Sequence, residues 1–98
     1  MKSIKVFVML HNWRVYDDHS QDVIAVFKDE ESAINGLRVY MKDIVKGGDY
    51  FASEVLDENL QRKDIRLARF SFDEMYYRAE STSGELFDEI WFEVHRIQ

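Results

Sequence analysis

The sequence contains no cysteine and no proline, and only four of its 98 residues are glycine. Without cysteine the chain cannot form disulfides, a thiolate nucleophile, or cysteine-ligated zinc and iron–sulfur centres. Linkers between domains are usually rich in proline and glycine, and this sequence has no such segment that would divide the chain. We therefore expect residues 1–98 to form one domain, and the missing cysteines fit a reducing cytoplasm.

Long apolar runs are missing as well. The apolar segment Val6–Leu10, which follows Lys2 and Lys5, is too short for a secretory signal and gives way at once to polar residues from His11 onward. No other run approaches the ~20 apolar residues of a membrane-spanning helix. The sequence therefore predicts a soluble, cytoplasmic protein that is not inserted in a membrane.

Basic side chains are the minority charge. Nineteen acidic residues stand against thirteen basic ones, which gives a net charge of −6. Proteins that bind nucleic acids usually have the opposite balance, because contacts to phosphates supply much of their affinity. The composition argues against direct nucleic-acid binding and leaves room for a basic protein partner.

Motifs of the common enzyme classes are also lacking. The chain has no Gly-x-Ser-x-Gly nucleophile motif and no glycine-rich phosphate loop, since Gly47-Gly48 ends a predicted helix rather than beginning one. His95 and Glu93 share one face of a predicted strand, as an acid–base pair would, but an exposed strand face gives the same pattern. We assign no catalytic residue and no cofactor, and expect that the protein is not an enzyme.

Two early segments have the alternating pattern of β-strands, namely Ile4–Leu10 and Asp22–Phe27. Both carry apolar side chains on both faces, which is typical of central strands. The residues between them, 13–21, are polar and aromatic and predict a long loop.

A helix is expected next. Asp29 is suited to be its N-cap, Glu30 and Glu31 favour the positive end of the helix dipole, and Gly47-Gly48 supplies a C-cap. The apolar stripe that repeats at helical spacing consists of Ala33, Ile34, Leu37, Tyr40, Met41, Ile44 and Val45.

In the second half of the chain, apolar residues again recur at the short spacing that is typical of β-strands. The segment Tyr50–Leu60 fits either a short helix or an irregular segment over one edge of the core. Strands are expected near Ile65–Phe72, Met75–Glu80 and Phe87–Ile97, and the last two are joined by a hairpin loop at Ser81–Gly84. The order ββα(α)βββ predicts an α+β fold, with a largely antiparallel sheet of about five strands and one main helix on one face.

The first half resembles a group of small, uncharacterised bacterial and phage domains with a strand–strand–helix order. The matching residues are Val6–His11, Ile24–Phe27 and Asp29–Ala33. The resemblance implies a strand end and a helix cap. No established activity comes with that group, so it implies no functional residue.

One polar cluster has the side chains that divalent metals prefer: His11, Asp17, Asp18 and His19. The two histidines lie across a loop rather than at a helical spacing that would direct both at one ion. A solvated loop is the favoured interpretation, and no metal site is assigned.

Charge is unevenly distributed in the second half. Four bases and one acid lie between Arg62 and Arg69, whereas seven acids and the single base Arg78 lie between Asp73 and Glu93. Aromatic anchors beside charge of one sign suit a protein-recognition surface. The alternative is that the rings form the core of the hairpin and the carboxylates solvate its outer face. The candidate partner-binding residues are Asp73, Glu74, Tyr76, Tyr77, Glu85, Asp88, Glu89 and Trp91.

The leading functional hypothesis is a small, acidic, non-enzymatic protein-interaction module. In a phage or mobile element, such a module would act as an inhibitor of a host nucleic-acid-binding or defence protein, with carboxylates in the place of phosphates. A homodimeric or otherwise homo-oligomeric accessory domain is the alternative. A histidine-based hydrolase or metal-binding protein ranks below both.

Overall fold

A computed structural model describes residues 4–48, 50–63, 66–72 and 74–97. Its helices and strands are β1 (Ile4–Val15), β2 (Asp18–Phe27), α1 (Glu30–Gly47), α2 (Ala52–Val55), β3 (Ala68–Ser71), β4 (Tyr76–Glu80) and β5 (Leu86–Ile97). The five strands form one antiparallel sheet in the order β2-β1-β5-β4-β3. The expected α+β class and element order are confirmed.

The first hairpin is longer than the sequence predicted. Residues 13–21, expected as a loop, extend both strands to a two-residue turn at Tyr16 and Asp17, where Tyr16 has φ 56°. Strand β5 pairs with β1 over its whole length, from Ile4 opposite Ile97 to Val15 opposite Leu86. This pairing satisfies the backbone of the polar segment, so the strand continues where side-chain composition alone favours a loop.

Strand β1 is central, as expected, but β2 is an edge strand. Its register with β1 shifts after Ala25, which pairs with Met9, so that Val23 pairs with Leu10 and Ile24 is the extra residue of a bulge. The expectation of a second central strand was wrong because β2 turns Val23 and Val26 toward solvent, 63% and 59% exposed.

Helix α1 has the ends that the sequence predicted. The Ser32 N–H donates to the Asp29 carboxylate at 2.7 Å, which lowers the pKa of Asp29. Gly48 adopts φ 72°, and its N–H donates to the Ile44 carbonyl. The residues that α1 buries are Ala33, Leu37, Met41 and Ile44.

The segment after α1 contains one helical turn, α2, followed by an isolated bridge between Leu56 and Arg62. Of the two possibilities for Tyr50–Leu60, the short helix is therefore present. Strand β3 begins at Ala68, later than expected, and Ile65 lies outside the described residues. The β4–β5 loop is confirmed, with Gly84 at φ 77°.

The hydrophobic core lies between the helices and one face of the sheet. Its buried residues are Met9, Leu37, Met41, Ile44, Ala52, Val55, Leu56, Leu60, Ala68, Tyr77, Ala79 and Ile90. Every strand residue in this set belongs to the same face, because directly paired residues of antiparallel strands project to the same side. Neither α1 nor α2 contributes to the opposite face.

Candidate functional site

The uncovered side of the sheet, which we call the helix-free face, carries the alternate residues of each strand. Its central members are Val6, Val8, Leu10, Asn12 and Arg14 of β1, Val23 and Val26 of β2, Phe87, Glu89, Trp91, Glu93 and His95 of β5, and Tyr76, Arg78 and Glu80 of β4. On its β2 side the face is apolar at Val23 and Val26 and polar toward the β1–β2 turn, at Gln21 and His19. On its β4 side the face is charged.

The apolar part runs across three strands. Val26 pairs with Val8, and Leu10 pairs with Val23 on one side and with Trp91 on the other. Leu10 is buried although no helix lies over it, because its cross-strand neighbours cover it. Val23 and Val26 stay exposed, so an apolar strip lies open to solvent at the edge of the sheet.

The charged part is an ion-paired network around Arg78. The guanidinium donates to Glu89 and to Glu80, each at 3.1 Å, and lies over the Phe87 ring at 5.3 Å from its centroid. Partial burial opposes this charge, but the bonds to Glu80 and Glu89 outweigh burial and raise the pKa of Arg78. The carboxylates of this face are therefore compensated by a cation.

Tyr76 completes the network. Its hydroxyl donates to Glu89 at 2.9 Å, and burial together with this carboxylate raises the pKa of Tyr76. At the other end of β5, Glu93 and His95 lie 3.3 Å apart and are both exposed. The helix-free face is thus mixed in charge rather than acidic.

The candidate partner-binding residues do not share one surface. Tyr76, Glu89 and Trp91 lie on the helix-free face, whereas Glu74 and Glu85 are exposed in turns near opposite ends of β4. Asp73 lies outside the described residues.

Tyr77 and Asp88 point into the core, and their side chains are 0% and 1% exposed. This corrects their expected place on a binding surface. Neighbouring strand residues alternate between faces, so a run of acids and aromatics along β4 and β5 is divided between surface and core.

Asp88 belongs to a buried polar network that the sequence did not predict. Its Oδ1 lies 3.1 Å from Nε2 of His11, and its Oδ2 accepts the Ala52 N–H at 2.7 Å. On the other side of the ring, Nδ1 of His11 lies 2.8 Å from the Tyr40 hydroxyl, so the imidazole bridges Asp88 and Tyr40. The network joins the sheet to the first residue of α2 and to α1.

The chemistry of this network favours a structural role. His11 and Asp88 are each only 1% exposed, whereas Tyr40 lines a groove of about 510 Å³ between α1 and β2. Burial, and then Tyr50, raise the pKa of Tyr40, so its hydroxyl keeps its proton. An activated nucleophile requires the opposite shift.

The four residues with metal-binding side chains are not brought together. His11 lies in the core, whereas Asp17, Asp18 and His19 are exposed at the β1–β2 turn. Within the part of the chain that the structure describes, no three histidine or acidic side chains are grouped to hold a metal ion.

The architecture defines a class of small α+β domain in which one long helix covers one face of a five-stranded antiparallel sheet and leaves the other face open. Comparisons with protein-family models, with curated proteins and with solved structures find no match to this chain. The resemblance of its first half to bacterial and phage domains stays a prediction. Over the described ranges, none of the helices has the length and apolar character needed to cross a membrane.

Proposed function

We propose that this chain is a non-enzymatic protein-interaction module that binds its partner through the helix-free face. The observation that carries the proposal is the open apolar strip formed by Val8, Val23, Val26 and Trp91, beside the Arg78 network. Contiguous apolar surface with a polar rim is typical of protein-binding sites.

Trp91 is the expected anchor of this surface. It is partly exposed and lies at the border of the apolar strip with the charged residues of β4 and β5. Tryptophan contributes strongly to binding when a partner excludes water around it. The ion pairs of Arg78 are already formed in the free chain, so they present a fixed polar rim.

A basic partner suits the charge of the whole chain. The net charge is −6, and Glu74 and Glu85 are exposed in turns beside the face. Such charge accelerates encounter with a basic surface and is weakened by salt. Inhibition of a host nucleic-acid-binding or defence protein is one form of this function, with carboxylates occupying the place of phosphates.

The test compares capture of proteins from a bacterial lysate by the wild-type chain and by a Val23→Thr/Val26→Thr variant. Threonine keeps the β-branched shape but removes apolar surface, so we expect captured partners to fall about tenfold. The matched control is Val39→Thr, since Val39 is equally exposed but lies on α1. Equal capture by the two-site variant and the control would remove the helix-free face from the proposal.

A second candidate is a homodimer through the edge of β2. Among the described residues this strand pairs with β1 alone, and it exposes Val23 and Val26 next to its free edge. Two such edges can pair with each other and extend the sheet. Sedimentation equilibrium distinguishes the candidates, because a mass that stays at 11.7 kDa as concentration rises excludes the dimer.

A further inference from the structure

A second surface feature lies on the helix side of the sheet, away from the helix-free face. It is a groove of about 340 Å³ between α1, the loop after α2, and the end of β3. Arg38 and Lys42 line it from α1, Arg62 from the loop, and Phe70 and Phe72 from β3 and the residues after it. The groove is at the small end of the volumes typical of ligand pockets.

Its charge differs from that of the rest of the chain. Arg38, Lys42 and Arg62 converge on it, and no described carboxylate lines it, although the chain has nineteen acids and a net charge of −6. None of these three cations forms an ion pair with a described residue, whereas Arg78 forms two. Three like charges that face one groove repel one another, and a bound anion offsets that repulsion.

Both guanidinium groups are oriented by aromatic rings. Arg38 lies over Phe72 with its Cζ 4.6 Å from the ring centroid, and Arg62 lies over Phe70 at 5.9 Å. The two rings are themselves in contact, with centroids 5.4 Å apart. Stacking fixes a guanidinium through its face and leaves the N–H groups at its edge able to donate. One Nη1–H group of Arg62 donates to the Ala68 carbonyl at 3.4 Å, which also orients this side chain.

The loop that carries Arg62 is held in a defined shape. The Asp57 carboxylate accepts the N–H groups of Asn59 and Gln61, each at 2.9 Å, and Leu60 between them adopts φ 61°. Asn59 and Gln61 both line the groove, where their side-chain amides add neutral donors to the three cations.

We propose that this groove binds a small phosphate-bearing molecule. Arg38 and Arg62 donate to phosphate oxygens through their planar guanidinium groups, and Lys42 supplies a third positive charge. Three cations match the charge of a phosphate ester or diphosphate better than that of a single carboxylate. The net charge of −6 opposes a nucleic-acid polymer, so the ligand is a small molecule.

The test is isothermal titration calorimetry of the whole chain with inorganic pyrophosphate, at constant ionic strength, with inorganic phosphate and sulfate as comparison anions. We expect saturable binding of pyrophosphate. Arg38→Gln and Arg62→Gln are each expected to weaken it about tenfold, and Arg38→Lys to weaken it as well, because lysine keeps the charge but loses the planar group.

Lys28→Gln and Arg96→Gln are the matched controls, since both residues are exposed and outside the groove. They remove the same charge and are expected to leave the affinity unchanged. Urea unfolding of each variant shows that the fold is retained. The Val23→Thr/Val26→Thr variant is also expected to bind pyrophosphate normally, which separates this site from the proposed protein-binding face.

Two kinds of result overturn the proposal. The first is the absence of saturable binding, or an affinity that falls equally in Arg38→Gln and Lys28→Gln, which indicates general attraction of anions. The second is tighter binding of a single-stranded RNA oligonucleotide than of pyrophosphate, which replaces the small ligand with a polymer.

Discussion

At the scale of single residues, the clearest anomaly is a phenol in the core. The Tyr77 hydroxyl is buried and has no hydrogen-bond partner among the described residues. A buried polar group without a partner loses its bonds to water and gains none in the fold. We expect Tyr77→Phe to raise the free energy of unfolding by about 1 kcal/mol, measured by urea denaturation. Tyr16→Phe, at an exposed position, is the control and is expected to change nothing.

Tyr77 also makes the free energy of unfolding depend on pH in the alkaline range. Burial, and then Asp88, raise the pKa of Tyr77 far above its ordinary value of 10. The stability that this shift contributes is therefore present below pH 10 and is lost as pH rises, because the unfolded chain releases the proton first. The advantage of Tyr77→Phe over the wild type should widen above pH 10. A difference that stays constant with pH contradicts the assigned burial of the phenol.

The Asp88 carboxylate supports a second prediction, concerning the buried network. In Asp88→Asn one oxygen becomes an amide N–H₂ group, so the side chain that now offers two acceptors, to the Ala52 N–H and to His11, keeps only one and loses its negative charge. We expect a loss of about 2–4 kcal/mol in the free energy of unfolding, measured by urea denaturation. Glu85→Gln, which alters an exposed carboxylate in the neighbouring loop, is expected to stay within about 0.5 kcal/mol. Equal stability of the two variants contradicts a structural role for Asp88.

At the scale of elements, one glycine sets how closely α1 approaches β2. A Cβ at Gly36 would overlap the ring of Phe27, the last residue of β2. Alanine stabilises a helix by about 1 kcal/mol relative to glycine. Overpacking a side chain against its neighbours typically lowers the free energy of unfolding by about 1–3 kcal/mol. We expect Gly36→Ala to destabilise the chain by about 1 kcal/mol, as measured by urea denaturation.

A double mutant separates the two effects in Gly36→Ala. In a Phe27→Ala background the ring is gone, so the same substitution should become stabilising by about 1 kcal/mol through helix propensity alone. A Gly36→Ala effect of the same sign in both backgrounds shows that Phe27 is not what limits the approach of the helix.

The sequence predicted the helix more accurately than the strands, because the helix ends depend on neighbouring residues and the strand pairing depends on residues far apart in the chain. Both ends of α1 depend on residues next to them, Asp29 and Gly48, so local chemistry was sufficient. The position of β2 at the edge depends on β5 pairing with the other side of β1, which no local pattern encodes. The long first hairpin was missed for the same reason.

The sequence predicted only part of the candidate site, because the pattern of β5 does not show which of its residues face outward. Strand β5 carries large apolar side chains in both phases, such as Trp91 on one face and Ile90 on the other. The pattern therefore did not indicate which acids face outward, and Asp88 was placed with Glu89. The partner of Asp88 is His11, 77 residues away, and only the tertiary fold brings a buried histidine to that carboxylate.

At the scale of the whole molecule, charge and stability are both unevenly distributed. The chain is acidic overall, yet the groove between α1 and the loop after α2 is lined by the three cations Arg38, Lys42 and Arg62. On the helix-free face, Arg78 forms ion pairs with two of the acids. The proposed protein partner and the proposed phosphate ligand would therefore contact opposite faces of the sheet. Binding of one is expected to leave the other site open.

The sheet itself predicts an order of local unfolding. Strands β1 and β5 pair with each other over twelve residues, and each also pairs with a second neighbour. Strand β3 has four residues, lies at the edge and, within the described part of the chain, pairs with β4 alone. Backbone hydrogen bonds in a short edge strand open without global unfolding, whereas those in a central pair open only with it.

Native-state hydrogen exchange tests this order. Amides in the middle of β1 and β5 are expected to exchange with the free energy of global unfolding that urea denaturation gives, and this value should fall as urea is added. Amides of β3 that pair with β4, such as that of Arg69, are expected to exchange faster and with little response to low urea, because their opening exposes little new surface. If β3 amides match those of β1 in both respects, the sheet unfolds as one unit, and the short edge strand is as stable as the centre.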